Sequence, residues 1–231
     1  MLFQKILHRV NFEEVTIETK LEKELYLVGD EVHGVVEVKA GDRDADLGYL
    51  YLYLKSECVK DPAQPLIRKE VKLDKFILGQ PFHMKKGQVV HIPFSFPLPS
   101  HTPITHGSAK VFTHSGLDIH AGDDPEDIDY LEVGPSILQE KVFSAVELLG
   151  YKKGRTVYGP TERYQEYVQT FTYEKEESSI LFSFISTRKD ELVLYVKYFS
   201  SEELIDEDIL TIYKSETDLE MKDKILGIVS K

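Results

Sequence analysis

FSFPLPSHTPITHGSAKVFTHSGLDIHAGDDPEDIDYLEV, residues 94–133, decides the fold. It opens as an extended apolar run broken by prolines. Pro93, Pro97 and Pro99 donate no backbone hydrogen bond, so this part of the run lies at a sheet edge or leaves the sheet. Lys110 to Thr113 starts another strand. The stretch then turns carboxylate-rich, with Asp118, Asp123, Asp124, Glu126, Asp127 and Asp129 grouped around Pro125. Nothing in it has the spacing of a catalytic motif. It reads as β-scaffold joined to a loop.

Toward the amino terminus the same period of two continues. Val15, Ile17, Thr19 and Leu21 share one face, with Thr16, Glu18 and Lys20 on the other. A turn at Gly29-Asp30 leads to a second strand, Val32 to Val38, and Gly41-Asp42 turns the chain again. Leu47 to Lys55 alternates Leu50, Leu52 and Leu54 against Tyr49, Tyr51 and Tyr53. Both faces of that strand carry packing groups, which predicts a central position in its sheet. Pro62 and Pro65 break the next segment, and further strands are predicted over 66–73, 75–79 and 88–96. Short strands with no helical period between them predict a β-sandwich.

The pattern changes at Pro135. Ser136 with Gln139 three residues on is a capping box. Leu138, Val142, Ala145, Val146 and Leu149 then form a helical stripe that Gly150 ends, giving a helix over 137–149. Beyond it the chain returns to β, with strands expected over 166–173, 179–185, 190–199 and 208–213, and Gly150 to Gly154 read as turn glycines. Thr217 to Glu220 is a second capping box that opens a final helix running to about Val229. The natural division lies just before the first helix, giving one unit over 1–134 and another over 135–231. At the start of the chain, Phe3, Ile6, Leu7 and Val10 fall at helical spacing, read as a short amphipathic helix docked on the body.

Composition limits function. The 231 residues carry a formal charge of −12, which repels nucleic acid and anionic membrane and suits basic protein segments. A single cysteine, Cys58, allows no internal disulfide and fits a reducing compartment. No run approaches the roughly 20 apolar residues of a membrane span, and the N-terminus lacks a secretory signal pattern. The expectation is a cytoplasmic chain without nucleic-acid binding or stable membrane insertion.

Candidate chemistry is sparse. The eight histidines lie within the first 120 residues, but neither HExxH nor HxH occurs, so no metal site is assigned. The acidic loop 118–129 lacks EF-hand order. It reads as a solvated turn, as a set of carboxylates pairing across the junction of the two units, or as a calcium loop. Cys58 has no framing motif of a nucleophile. No nucleophile elbow, phosphate loop or dinucleotide glycine pattern occurs. Catalytic residues and cofactors are therefore expected to be none.

The run Gly87, Val90, Ile92 to Pro99, Pro103 to Thr105 and Val111 resembles the arrestin-type amino-terminal domain. Thr113 to Ile119, Asp124-Pro125, Asp127 and Asp129 to Val133 resemble the bacterial sporulation-control protein M family. Thr19 to Glu22, Tyr26 and the spaced residues from Gly29 to Val36 fit its first strands. Ser136 through Tyr151 and Asp190 to Leu192 fit its middle helix and a later strand. The resemblance implies an all-β, mainly β fold: two tandem arrestin-like, immunoglobulin-type β-sandwich domains, a short helix opening the second and a helix closing it. It implies a non-enzymatic regulatory adapter in bacteria that acts through protein–protein interaction, with sporulation or cell-division regulators as partners. Asp127, Asp129, Gly134, Pro135 and Ser136 are the expected inter-domain junction. A metal- or small-ligand-binding sandwich sensor is the alternative. A homodimer joined through exposed strand edges is also left open.

Overall fold

The computed structural model describes residues 15–59, 67–119, 124–160 and 167–229. The helix expected over Phe3 to Val10 lies outside these residues, as do Pro62, Pro65 and Asp123. Among the described residues there are fourteen strands and two helices, and the fold is mainly β as expected.

The described residues up to Gly134 supply two facing sheets. β1 (Thr16–Leu21), β3 (Glu31–Lys39) and β7 (Val89–Pro97) form an antiparallel three-stranded sheet in the order β1-β3-β7. β2 (Leu25–Leu27), β9 (Glu126–Gly134), β8 (Lys110–Ile119), β4 (Ala45–Val59) and β5 (Arg68–Gly79) form the other in that spatial order, and β6 (Phe82–Met84) also pairs with β4. β4 is central, as its two-faced apolar pattern requires. Leu50, Leu52 and Leu54 are fully buried in the shared core with Val32, Val36 and Val38. The alternate Tyr51 and Tyr53 are half-buried and receive the Lys75 ammonium at 5.2 and 5.0 Å from their ring centroids. Pro93 and Pro97 of β7 are accommodated because β7 is the outer strand of its sheet, and Pro99 lies just past its end. Gly34 of β3 lets the Phe94 ring cross the strand: a Cβ there would stand 2.5 Å from Phe94 Cζ.

The second half is one antiparallel meander: β10 (Lys152–Pro160), β11 (Tyr167–Lys175), β12 (Ser178–Thr187), β13 (Glu191–Ser200) and β14 (Glu203–Tyr213). α1 (Ile137–Leu148) and α2 (Asp218–Val229) pack on each other and on this sheet. This refines the expectation of a second sandwich, because the layer opposite the sheet is helical. The α1 stripe (Leu138, Val142, Phe143, Val146) and Met221, Ile225 and Ile228 of α2 enclose the same core as Phe171, Phe182, Leu194 and Ile212 from the strands. Phe143 anchors it, with ring centroids 5.0 Å from Phe171 and 5.8 Å from Phe182.

The exposed edge of this sheet is blocked from within. Among the described residues β14 pairs with β13 alone, and groups on its outer side bond to side chains. Ile209 N–H donates to Asp208 Oδ1 at 2.8 Å, the Thr211 carbonyl accepts from Lys224 Nζ at 2.8 Å, and Tyr213 N–H donates to Glu216 Oε1 at 3.2 Å. Such side-chain capping hinders edge-to-edge pairing with another chain.

Two segments differ from the sequence reading. The carboxylate-rich loop extends into a strand, β9, over Glu126–Gly134. Its faces mix polarity: Asp127, Asp129, Leu131 and Val133 point inward, while Glu126, Ile128, Tyr130 and Glu132 are exposed. The supposed glycine turn Gly150 to Gly154 leads into β10, where Gly154 sits in a bulge between Lys153 and Thr156.

Candidate interaction surface at the junction of the two halves

The expected junction residues occupy two different places. Asp127 works inside the first half. Its carboxylate accepts the backbone N–H of Thr19 at 2.6 Å, while Thr19 Oγ1 and Ser115 Oγ share a hydrogen bond at 2.5 Å. These contacts tie β1 of one sheet to β9 and β8 of the other. Asp129 is half-buried two residues on and lies opposite Thr113 in the β8–β9 ladder. Glu126, on the other face, lies 3.1 Å from His114 Nε2. The strand alternation therefore spreads these carboxylates over both faces of β9.

Gly134, Pro135 and Ser136 form the covalent link. Gly134 ends β9 opposite Leu27 of β2. Ser136 is the N-cap of α1 with both arms of the capping box made: its Oγ accepts Gln139 N–H at 3.3 Å, and its own N–H donates to Gln139 Oε1 at 2.8 Å. The Gln139 amide also donates to Thr187 Oγ1 at 3.4 Å, which ties the helix start to β12.

The non-covalent junction is built elsewhere, by the TPITHGSAK loop against β10 and β11. Gln169 of β11 is 8% exposed, and its amide clamps the loop backbone. Gln169 Oε1 accepts Ile104 N–H at 2.8 Å, and its Nε2 donates to the carbonyls of Ile104 at 2.7 Å and His106 at 3.3 Å. Ser108 Oγ accepts Tyr158 N–H at 2.8 Å. Gly107, at φ +66°, passes so close to β10 that a Cβ would stand 2.4 Å from the Thr156 carbonyl oxygen. Only glycine meets both demands without strain. Tyr158 packs with Cys58 and Ala109, and its hydroxyl accepts from Ser56 Oγ at 3.2 Å. Burial pushes the Tyr158 phenol up to about 12 and raises the Cys58 thiol, which keeps the cysteine protonated in its packing role. At the rim, Lys69 Nζ donates to Tyr167 Oη at 2.8 Å.

Sequence reasoning passed over Gln169, Ser108 and Tyr158, because their roles arise only when the halves meet. The available signal was Gly107, a glycine in the turn between the two extended parts of the run 94–133.

A groove of about 380 Å³ opens beside this clamp. Gly134 and Pro135 line it, together with Thr105, His106 and the exposed side of α1. A second, more apolar groove of about 430 Å³ runs between Leu27, Pro135 and Leu148. Among the described residues, no three His, Cys, Asp or Glu side chains gather as metal ligands. Nor is any helix among them long and apolar enough to cross a membrane.

Comparison with known proteins agrees with this architecture. The Spo0M family (SpoOM protein) matches residues 3–182. The sporulation-control protein spo0M of Bacillus subtilis (strain 168) is 35% identical over 154 residues, covering 65% of this chain and 58% of that protein. The chain thus matches somewhat more than half the length of that relative. The crystal structure of Spo0M from Bacillus subtilis superposes with a TM-score of 0.82 at 24% identity, covering 93% of this chain and 97% of that one, which establishes the fold. On the extent of the family match, the chain belongs to the Spo0M family.

Proposed function

We propose that this chain is a non-enzymatic regulatory adapter of sporulation control, acting in the cytoplasm by binding protein partners. In this reading residues 1–134 and 135–231 are two arrestin-like modules linked through Gly134, Pro135 and Ser136. Sporulation enters through the Bacillus subtilis relative, which carries that function in its name.

The observation that carries the adapter reading is the junction. The Gln169 amide holds the backbone of Ile104 and His106 from across the molecule, and buried Tyr158 and Cys58 back the contact. Hydrogen bonds of this kind, made to backbone and shielded from water, fix one relative arrangement of two β-modules. A fixed arrangement keeps the grooves beside it open and preformed, which lowers the ordering cost of docking a partner.

Complementation tests the reading. A Bacillus subtilis strain lacking its own spo0M gene would be given this chain, and heat-resistant spores counted. Restoration of spore yield is expected. No change in yield, with the protein present at normal level and folded, overturns the assignment to sporulation control.

A further inference from the structure

The outward face of the larger sheet in the first half reverses the charge of the chain locally. On β4, Tyr53 and Lys55 are two residues apart and share that face. Across the ladder on β5, Lys75 lies opposite Tyr53 and Lys72 opposite Lys55. These two lysines are three residues apart, and on a regular strand they would face opposite sides. The extra residue is absorbed where the register shifts between Leu54 and Lys55. This bulge aims Lys72 and Lys75 out of the same face.

Three ammonium groups therefore gather at one ring. Nζ of Lys75, Lys55 and Lys72 stands 5.0, 5.7 and 6.0 Å from the Tyr53 centroid. Lys75 is also 5.2 Å from the Tyr51 centroid, and the two tyrosine rings meet edge to face at 5.1 Å. Tyr51 lies across Gly116 of β8, where a Cβ would stand 2.6 Å from the ring. Such ring contacts restrain the lysine heads before any partner arrives.

The carboxylates of this face are already engaged. Glu57 pairs with Lys110 at 3.4 Å, Glu70 with Lys55 at 3.3 Å, and Glu126 lies 3.1 Å from His114 Nε2. Lys55 Nζ also donates to His114 Nδ1 at 2.7 Å. Asp74 accepts the backbone N–H of Lys75 at 2.7 Å. Lys72 and Lys75 are exposed, and neither forms an ion pair among the described residues. Two adjacent positive charges are thus left over on a chain of formal charge −12. Beside them Ile77 lies opposite Tyr51 and is 62% exposed.

We propose that this face docks an extended acidic segment of a protein partner. Its carboxylates meet Lys72 and Lys75, and an apolar residue covers Ile77. The inference rests on the adapter reading and deepens it by naming the partner's chemistry. A nucleic acid fits less well. Glu57, Glu70 and Glu126 border the lysines and repel a continuous phosphate backbone. Tyr51 and Tyr53 already carry lysine heads, so neither ring is open to a stacking base.

The probe is fluorescein-labelled hexa-glutamate, titrated with the full chain and followed by anisotropy at physiological salt. Saturable binding is expected, weakened about tenfold by Lys72→Gln/Lys75→Gln. Lys72→Arg/Lys75→Arg keeps the charges and should hold the affinity within about twofold. Lys85→Gln/Lys189→Gln removes the same charge from exposed turns off this face and should leave binding unchanged. Both lysines of the face are exposed, so their variants should keep the wild-type unfolding midpoint. Equal weakening by the two glutamine variants would reduce the effect to diffuse attraction and overturn the proposal. Tighter binding of a poly-thymidine oligonucleotide than of the peptide would also overturn it. Absence of saturable binding while spore yield is restored overturns this face assignment and leaves the sporulation reading standing. Saturable binding without restored spore yield does the reverse.

Discussion

Replacing Gln169 with leucine tests the junction most sharply. Leucine has similar bulk and helps fill the site, but it offers no donor or acceptor. Gln169 Oε1 and Nε2 satisfy both backbone groups of Ile104, at 2.8 and 2.7 Å, and Ile104 is 7% exposed. Water cannot readily replace the lost amide there. Each buried backbone group left unmade costs about 1–3 kcal/mol, and the weaker bond to His106 adds little. The substitution should therefore destabilise by about 3 kcal/mol, a large share of a typical total of about 5–15 kcal/mol. The chain has no tryptophan, so urea unfolding is best followed by far-ultraviolet circular dichroism. The midpoint should fall by about 1 M at unchanged slope. Two separated transitions would also fit, since a weakened junction lets the halves unfold independently. A midpoint shift below about 0.2 M with a single transition would refute the clamp.

Other substitutions probe neighbouring parts. Ser136→Ala removes the N-cap of α1 and should cost about 1 kcal/mol in the same urea assay. Asp127→Asn weakens a 2.6 Å charge-assisted bond between the two sheets of the first half and should cost about 1–2 kcal/mol. Gly107→Ala places a Cβ against the Thr156 carbonyl at positive φ and should cost about 2 kcal/mol or more, read as a lowered thermal midpoint. Tyr158 gives a pH signature. Its phenol titrates near 10 when unfolded and at about 12 when folded, so only the unfolded chain loses that proton as pH climbs between the two. Stability is thus unaffected below pH 10 and lost above it, at up to about 1.4 kcal/mol per pH unit for one group. Tyr158→Phe should lower stability at neutral pH through the lost Ser56 bond, yet flatten the alkaline slope relative to wild type.

Much of the scaffold was legible because its residues repeat at the period of their element. The Leu50, Leu52, Leu54 alternation marked β4 and its central place, and the Ser136–Gln139 box marked the start of α1. β9 was hidden because each of its faces carries both acids and apolar residues, so no period of two stands out. β10 was hidden by Gly154 at a bulge, which in sequence reads as a turn. The α1 stripe was visible, but the sheet it covers was not, since nothing in a helix names its partner. The junction escaped for the same reason. Gln169, Ser108 and Tyr158 look like ordinary strand and loop residues until positions 65 and 50 apart in sequence are brought together. Conversely, the acidity of Asp127 marked it as part of the loop 118–129, while it lies in β9 and its contact is with Thr19 inside the first half.

The account holds that regulation runs through the preformed groove at the junction. The most direct measurement is spore yield in the complemented Bacillus subtilis strain, comparing the wild-type chain with Gln169→Leu at equal protein levels. The wild type is predicted to restore sporulation, while Gln169→Leu, with its junction no longer held, does not. Full restoration by Gln169→Leu would contradict the account.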